Sequence, residues 1–298
     1  MGSITAVDSK TGRKFYLDDP DDLQAGDEVV FILNLHGGGS AGPWQRQYFP
    51  AFEYKEKYRL VVATPSAATR EPMRRWTGEA DDEHLRNITE HVFETYGKGN
   101  IRSFWLAGHS QGGMTSNRIL GSDYFKERVD GWLSLSGGRI GPIELPVSFF
   151  SSIRTPLPTE MQGSNAPRPG QASPPDCDIS FIFATGEHEM VALPEASPWA
   201  EKYGAGSRVR LTDVVDDQPG KIYDTTREGK SMPAWGLFPR PGTAQVYVYP
   251  NARDGRLIAD VVRLDKGHTE GLEPKITDEL IRMMVGAPGG KGRTVGAK

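Results

Sequence analysis

Ser110 stands in Gly108-His109-Ser110-Gln111-Gly112, directly after a strand-like apolar run at 101–106 and directly before a helix-like run at 114–120. A serine hydroxyl becomes a nucleophile when a base takes its proton and an acid orients that base. In a strand–turn–helix frame the Gly-x-Ser-x-Gly pattern reads as a nucleophile elbow, because the tight backbone around the serine needs neighbours without bulk. The helix that follows aims its free N–H groups and the positive end of its dipole at the hydroxyl. Of the six histidines only His188 and His268 follow Ser110. For a serine on such an elbow the chain order is serine, acid, histidine. His268, in a Gly-His turn just past the strand-like run 257–264, is therefore the candidate base. The acid is expected after the strand-like run 178–185, where no aspartate lies. Glu187 and Glu189 are the candidates there, with an acid elsewhere such as Asp213 as the alternative.

Acyl transfer also needs donors aimed at a developing oxyanion. His36-Gly37-Gly38-Gly39 follows the apolar run 29–35, and glycines there let backbone N–H groups approach a substrate. The expected donors are the N–H groups of Gly38 and Gln111, with Gly37 and Gly39 as alternatives. A phosphate-binding reading of this loop fails, because no Gly-Lys-Ser/Thr follows it. Trp76, Trp44, Trp199 and Trp235 lie in loop-like stretches and are candidates for stacking on an apolar or aromatic substrate. Arg139, after a strand end, is a candidate for facing a substrate carboxylate.

The elements that must position these residues alternate. The run at 29–35 is apolar in the manner of a strand buried on both faces of a parallel sheet, and 60–65, 101–106, 132–135 and 178–185 also read as strands of that sheet. Between them, 43–57 can be helical, and 81–96 carries Leu85, Ile88, Val92, Phe93 and Tyr96 at helical spacing before Gly97 and Gly99 end it. A short hairpin around Thr11-Gly12 opens the chain. A strand pair (244–249 and 257–264) and a helix at 275–285 close it. This alternation predicts an α/β domain with a mostly parallel sheet, whose active residues sit at the carboxyl ends of strands. Residues 1–285 read as one domain. Irregular insertions at about 141–177 and 193–243 are expected to form a lid or pocket wall, and 286–298 a flexible tail.

Composition removes other function classes. A net charge of -4 over 298 residues offers no basic footprint for nucleic acid. No apolar run approaches membrane-spanning length, so no membrane insertion is expected. The first residues lack the apolar core of a signal peptide, and Cys177 is the single cysteine. A cytoplasmic location is the resulting expectation, and cysteine-based zinc or iron–sulfur chemistry is excluded.

With these motifs in hand, the chain resembles the α/β-hydrolase superfamily. More closely, it is similar to the family of polyhydroxybutyrate depolymerases and type D feruloyl esterases. The likeness covers about residues 28–140, 178–191 and 244–285. It rests on Leu35-His36-Gly37, on Gly108 to Met114, on Gly186 to Glu189, and on Tyr249-Pro250-Asn251 through Gly267-His268. The resemblance implies an α/β-hydrolase fold and hydrolysis of a carboxylic ester through an acyl-serine, with no metal or organic cofactor. It implies a small-molecule or polymeric ester as the partner. Peptide, lactone or thioester cleavage, or acyl transfer, would use the same machinery, and a non-catalytic binding protein is the reading of another class. Gly38 replaces the cysteine that members often carry there. Related hydrolases carry Gly-x-x-Asp after this strand, so the resemblance implies Glu189 as the acid, a glutamate in place of the usual aspartate.

Overall fold

A computed structural model describes residues 2–138, 174–189, 193, 195–223 and 239–295. Arg139, Trp235, residues 141–173 of the first expected insertion and residues 224–238 of the second lie outside these described residues.

Among the described residues, eleven strands form one sheet in the order β1-β2-β4-β3-β5-β6-β7-β11-β10-β8, with β9 also paired to β10. The strands are β1 (Ser3–Val7), β2 (Lys14–Asp18), β3 (Val29–Leu35), β4 (Leu60–Pro65), β5 (Ile101–His109) and β6 (Gly131–Leu135). They continue with β7 (Ser180–Gly186), β8 (Val209–Arg210), β9 (Val214–Val215), β10 (Thr243–Val248) and β11 (Ile258–Arg263). The six central strands, β4, β3, β5, β6, β7 and β11, run parallel. Antiparallel pairs finish both edges.

The helices are α1 (Gly42–Tyr48), α2 (Lys55–Tyr58), α3 (Gly78–Tyr96) and α4 (Gln111–Ile119). After them come α5 (Asp123–Lys126), α6 (Pro198–Lys202), α7 (Pro274–Gly286) and α8 (Lys291–Thr294). Strand side chains alternate between two cores. Phe31, Leu33, Phe104 and Leu106 pack with Leu85, Ile88, Val92 and Phe93 of α3. Val30, Ile32, Trp105 and Ala107 pack with Tyr48 of α1 and Ile276, Leu280, Ile281 and Met284 of α7. Coverage on both faces is why β3 and β4 carry apolar side chains along most of their length.

Three local expectations are corrected. The helix after Ser110 begins at Gln111, ahead of the expected 114, because close packing of Gly112 and Gly113 against neighbouring backbone outweighs their poor helix propensity. The second insertion is not wholly irregular: it supplies α6, β8 and β9, the two strands extending the sheet beyond β10. Residues 286–295 are not a free tail. Lys291 N–H donates to Asp130 Oδ1 at 3.0 Å and Arg293 Nε–H to the Ile101 carbonyl at 3.0 Å.

Candidate active site

Strand order reverses between β3 and β5, so Leu35 and Gly108 face each other at the carboxyl ends of neighbouring strands. Both loops that follow therefore open into one crevice, the usual place for a ligand in such a sheet. Ser110 lies directly after β5 with φ 51° and ψ -116°, a conformation rare for a side-chain-bearing residue. Its N–H donates to the Leu135 carbonyl at 2.8 Å, and its own carbonyl accepts from Met114 N–H at 3.1 Å. The turn closes only because β-carbons are missing around it. A methyl on Gly108 would collide with the Gly112 carbonyl, and one on Gly112 with the Leu35 carbonyl.

The His36 loop is built from its histidine outward. Ala67 N–H donates to His36 Nε2 at 3.0 Å, so Nδ1 carries the ring proton and gives it to the Gly37 carbonyl at 2.7 Å. Burial pushes this imidazole's pKa down to about 4, which keeps it neutral. Trp76 braces the same loop: its indole N–H donates to the His36 carbonyl at 2.7 Å and its ring lies against the His36 ring. Gly39 N–H is engaged with the Arg74 carbonyl at 2.7 Å, which removes it from the candidate donors. Gly38 adjoins Gln111: a β-carbon on Gly38 would stand 3.6 Å from Gln111 Oε1. That oxygen is itself held by Trp76 N–H at 3.1 Å. Among the described residues neither Gly38 N–H nor Gln111 N–H has a hydrogen-bond partner, and Gln111 is the first residue of α4, where N–H groups point outward.

His268 and Glu189 come from the loops after β11 and β7, which are parallel neighbours. Those loops are joined by His188 N–H to the Lys266 carbonyl (3.0 Å) and Glu187 N–H to the Arg263 carbonyl (2.9 Å). The result sets His268 Nδ1 at 2.9 and 3.1 Å from the two carboxylate oxygens of Glu189. Glu187 turns elsewhere, accepting Asp265 N–H at 2.7 Å. Asp213 pairs with Arg210 beside the edge strands. With Nδ1–H given to Glu189, Nε2 of His268 carries the lone pair and is the basic nitrogen.

His109 ties this loop to the elbow. Its Nε2–H donates to the His268 carbonyl at 2.8 Å, and the two rings lie 4.7 Å apart. Burial and the neighbouring His268 hold the His109 imidazole well below its ordinary pKa, so the ring is neutral. The Tyr48 ring packs against His109 with centroids 4.0 Å apart, and its hydroxyl also donates to the His268 carbonyl at 3.4 Å. Sequence reasoning missed His109 and Tyr48 as supports, although His109 sits inside the motif itself. Their partner is a backbone carbonyl about 160 to 220 residues away, and no local pattern reports that.

The substrate-binding expectations fare differently. Trp76 is buried beneath the His36 loop, and Trp199 is buried in a stack with Phe181 and Tyr203, so neither offers a face to a ligand. Trp44 is half-buried, stacked on Tyr48 and tilted against His109 at the crevice. Among the described residues no helix is long and apolar enough to cross a membrane. Nor does any group of three His, Cys, Asp or Glu side chains among them gather closely enough to hold a metal ion.

No protein-family model matches the chain, and no curated protein is significantly similar to it. Solved structures do match. An acetyl xylan esterase from Aspergillus awamori is similar at 14% identity and a TM-score of 0.53, over 96% of this chain and 100% of that one. The protein TT1662 from Thermus thermophilus is similar at 16% identity and a TM-score of 0.55, again over 96% and 100% of the two chains. With its mostly parallel sheet flanked by helices, the chain has an α/β-hydrolase fold.

Proposed function

We propose that the chain is a serine esterase with Ser110 as nucleophile, His268 as base and Glu189 as the acid that orients it. The observation that carries this reading is the Glu189 carboxylate on His268 Nδ1, in a loop bound through His109 to the turn that bears Ser110. Ser110 Oγ attacks the ester carbonyl and its proton passes to His268 Nε2. The Gly38 and Gln111 N–H groups receive the oxyanion. As the acyl–oxygen bond breaks, the imidazolium gives its proton to the departing alkoxide, which leaves as the alcohol. A water, deprotonated by the same nitrogen, then cleaves the acyl-serine to release the acid and restore the serine. Glu189 stabilises the transient imidazolium without taking its proton.

The sequence resemblance to polyhydroxybutyrate depolymerases and type D feruloyl esterases supports a small, aromatic or polymeric ester as substrate. A fold shared with an acetyl xylan esterase accords with ester hydrolysis. The test is hydrolysis of p-nitrophenyl acetate, butyrate and octanoate by wild type and Ser110→Ala, with mass spectrometry after a fluorophosphonate probe. Turnover that vanishes in the variant, with a probe adduct on Ser110, is the expected result. An unlabelled Ser110 together with no turnover of any ester would overturn the reading in favour of a non-catalytic binding protein.

A further inference from the structure

The two N–H groups offered to an oxyanion come from separate elements, Gly38 after β3 and Gln111 at the start of α4. Their spacing must therefore be set by something bonded to both. Residues 66–77, between β4 and α3, meet that requirement. The segment is pinned near both ends on one carboxylate: Ala68 N–H and Thr77 N–H donate to the two oxygens of Asp81 at 2.9 and 2.8 Å. Asp81, buried in the first turn of α3, is itself paired with Arg13 at 2.7 Å. Between those ends Arg75 N–H donates to the Thr69 carbonyl at 3.1 Å, and the Arg74 guanidinium to the Ala67 carbonyl at 2.8 Å. The segment is a strut anchored to α3.

Three bonds fix the donor loop to this strut. Ala67 N–H donates to His36 Nε2, the Trp76 indole N–H to the His36 carbonyl, and Gly39 N–H to the Arg74 carbonyl. They grip the chain on both sides of Gly38. The strut also reaches the other donor, because Trp76 backbone N–H donates to Gln111 Oε1 at 3.1 Å. A backbone N–H can only donate, so the oxygen of the Gln111 amide is the atom that faces it. Trp76 thus holds the donor loop with its indole and Gln111 with its backbone.

We propose that the Gln111 side chain and the Trp76 indole are positioning residues that set the distance between the Gly38 and Gln111 N–H groups. The proposal rests on the serine-esterase reading and concerns the same site. Both groups act through the two donors rather than on the substrate. An oxyanion develops only in the transition state, so a displaced donor costs rate rather than ground-state affinity.

The test compares wild type with Gln111→Met, which keeps the length of the side chain without its acceptor, with Trp76→Phe, which keeps a ring without its donor, and with the double variant. Steady-state hydrolysis of p-nitrophenyl butyrate is measured beside inhibition by butylboronic acid. Its boron takes the Ser110 oxygen as His268 takes the proton, giving a tetrahedral anion that needs the same donors. Each single variant is expected to lower kcat and kcat/KM together by about tenfold, the worth of one hydrogen bond, and to weaken the boronic acid by about the same factor. KM should stay within about threefold, with the far-UV circular dichroism of wild type. The double variant should lose about as much as either single one, because the two bonds are links in series. A kcat within about threefold of wild type in both single variants, a boronic acid affinity that stays unchanged while kcat falls, or single losses that multiply to about a hundredfold would overturn the positioning role. In each of those cases a fluorophosphonate adduct on Ser110 leaves the esterase reading standing. No adduct on wild-type Ser110 and no turnover would overturn both.

Discussion

Glu187 and Glu189 differ by two positions and by everything else. Glu189 meets the imidazole of His268 with both oxygens, whereas Glu187 accepts a backbone N–H from Asp265 on the surface of the same loop. A glutamine at 189 keeps the size of the side chain but loses the charge that stabilises an imidazolium, and its amide N–H can favour the wrong ring tautomer. Glu189→Gln is therefore expected to lower kcat by about 10²- to 10⁴-fold with folding intact. Glu187→Gln should cost about twofold, the size of an ordinary surface change. Steady-state kinetics on p-nitrophenyl butyrate separate the two. Equal losses, or a larger loss at 187, would remove Glu189 from the role proposed for it.

The segment from β11 to α7 holds His268 through buried charge. Arg263 Nε–H donates to Glu273 Oε2 at 3.0 Å, and Lys266 Nζ lies 2.9 Å from Glu273 Oε1. The Arg263 guanidinium also donates to the carbonyls of Glu270 and Gly271, each at 2.8 Å, while the Glu270 carboxylate accepts Gly267 N–H at 2.6 Å. Burial pushes the Glu273 carboxyl upward, but Arg263 and Lys266 outweigh that and hold it below its ordinary value. Glu273 thus bridges two buried cations, Arg263 and Lys266, with the buried Glu270 carboxylate a further 3.8 Å from Lys266 Nζ. Glu273→Gln leaves both without that charge and is expected to destabilise the fold by about 3–5 kcal/mol. Urea unfolding measures the loss directly. A change below about 1 kcal/mol would mean that the network relaxes into solvent rather than clamping the turn.

Across the molecule, three layers bury imidazoles together with the apolar strands. His36, His84 and His109 are all held below their ordinary pKa, each chiefly by burial, with His36 at about 4. Well above about pH 6.5 neither the folded nor the unfolded chain protonates these rings appreciably. As the pH falls below that value the unfolded chain takes up protons that the folded chain refuses, so stability declines until the folded values are reached. Each ring contributes up to about 1.4 kcal/mol per pH unit within that window. The thermal midpoint should therefore drop steadily from about pH 7 to pH 5. A flat or rising midpoint over that interval would contradict the buried, neutral state of these rings.

The order of strands and helices, the mostly parallel sheet, the turn at Ser110 and the strand-following turn at His268 were legible in the sequence. Each is written in local terms: apolar runs, a stripe at helical spacing, glycines at a tight bend, and a histidine late in the chain. What the tertiary structure decided depends on residues far apart in sequence. Which glutamate faces His268 follows from the pairing of the loops after β7 and β11, invisible to a pattern that sees only two acids two positions apart. Trp76 reads as a loop aromatic open to substrate until its indole is found under the His36 carbonyl, forty positions earlier. The glycine- and lysine-rich end reads as a free tail, yet Lys291 and Arg293 reach partners on the loop before β6 and at the start of β5. Short-range pattern reports the backbone's own preferences and the periodicity of burial. Side-chain direction and the choice between chemically equal candidates are set by long-range packing, and only the folded chain contains that.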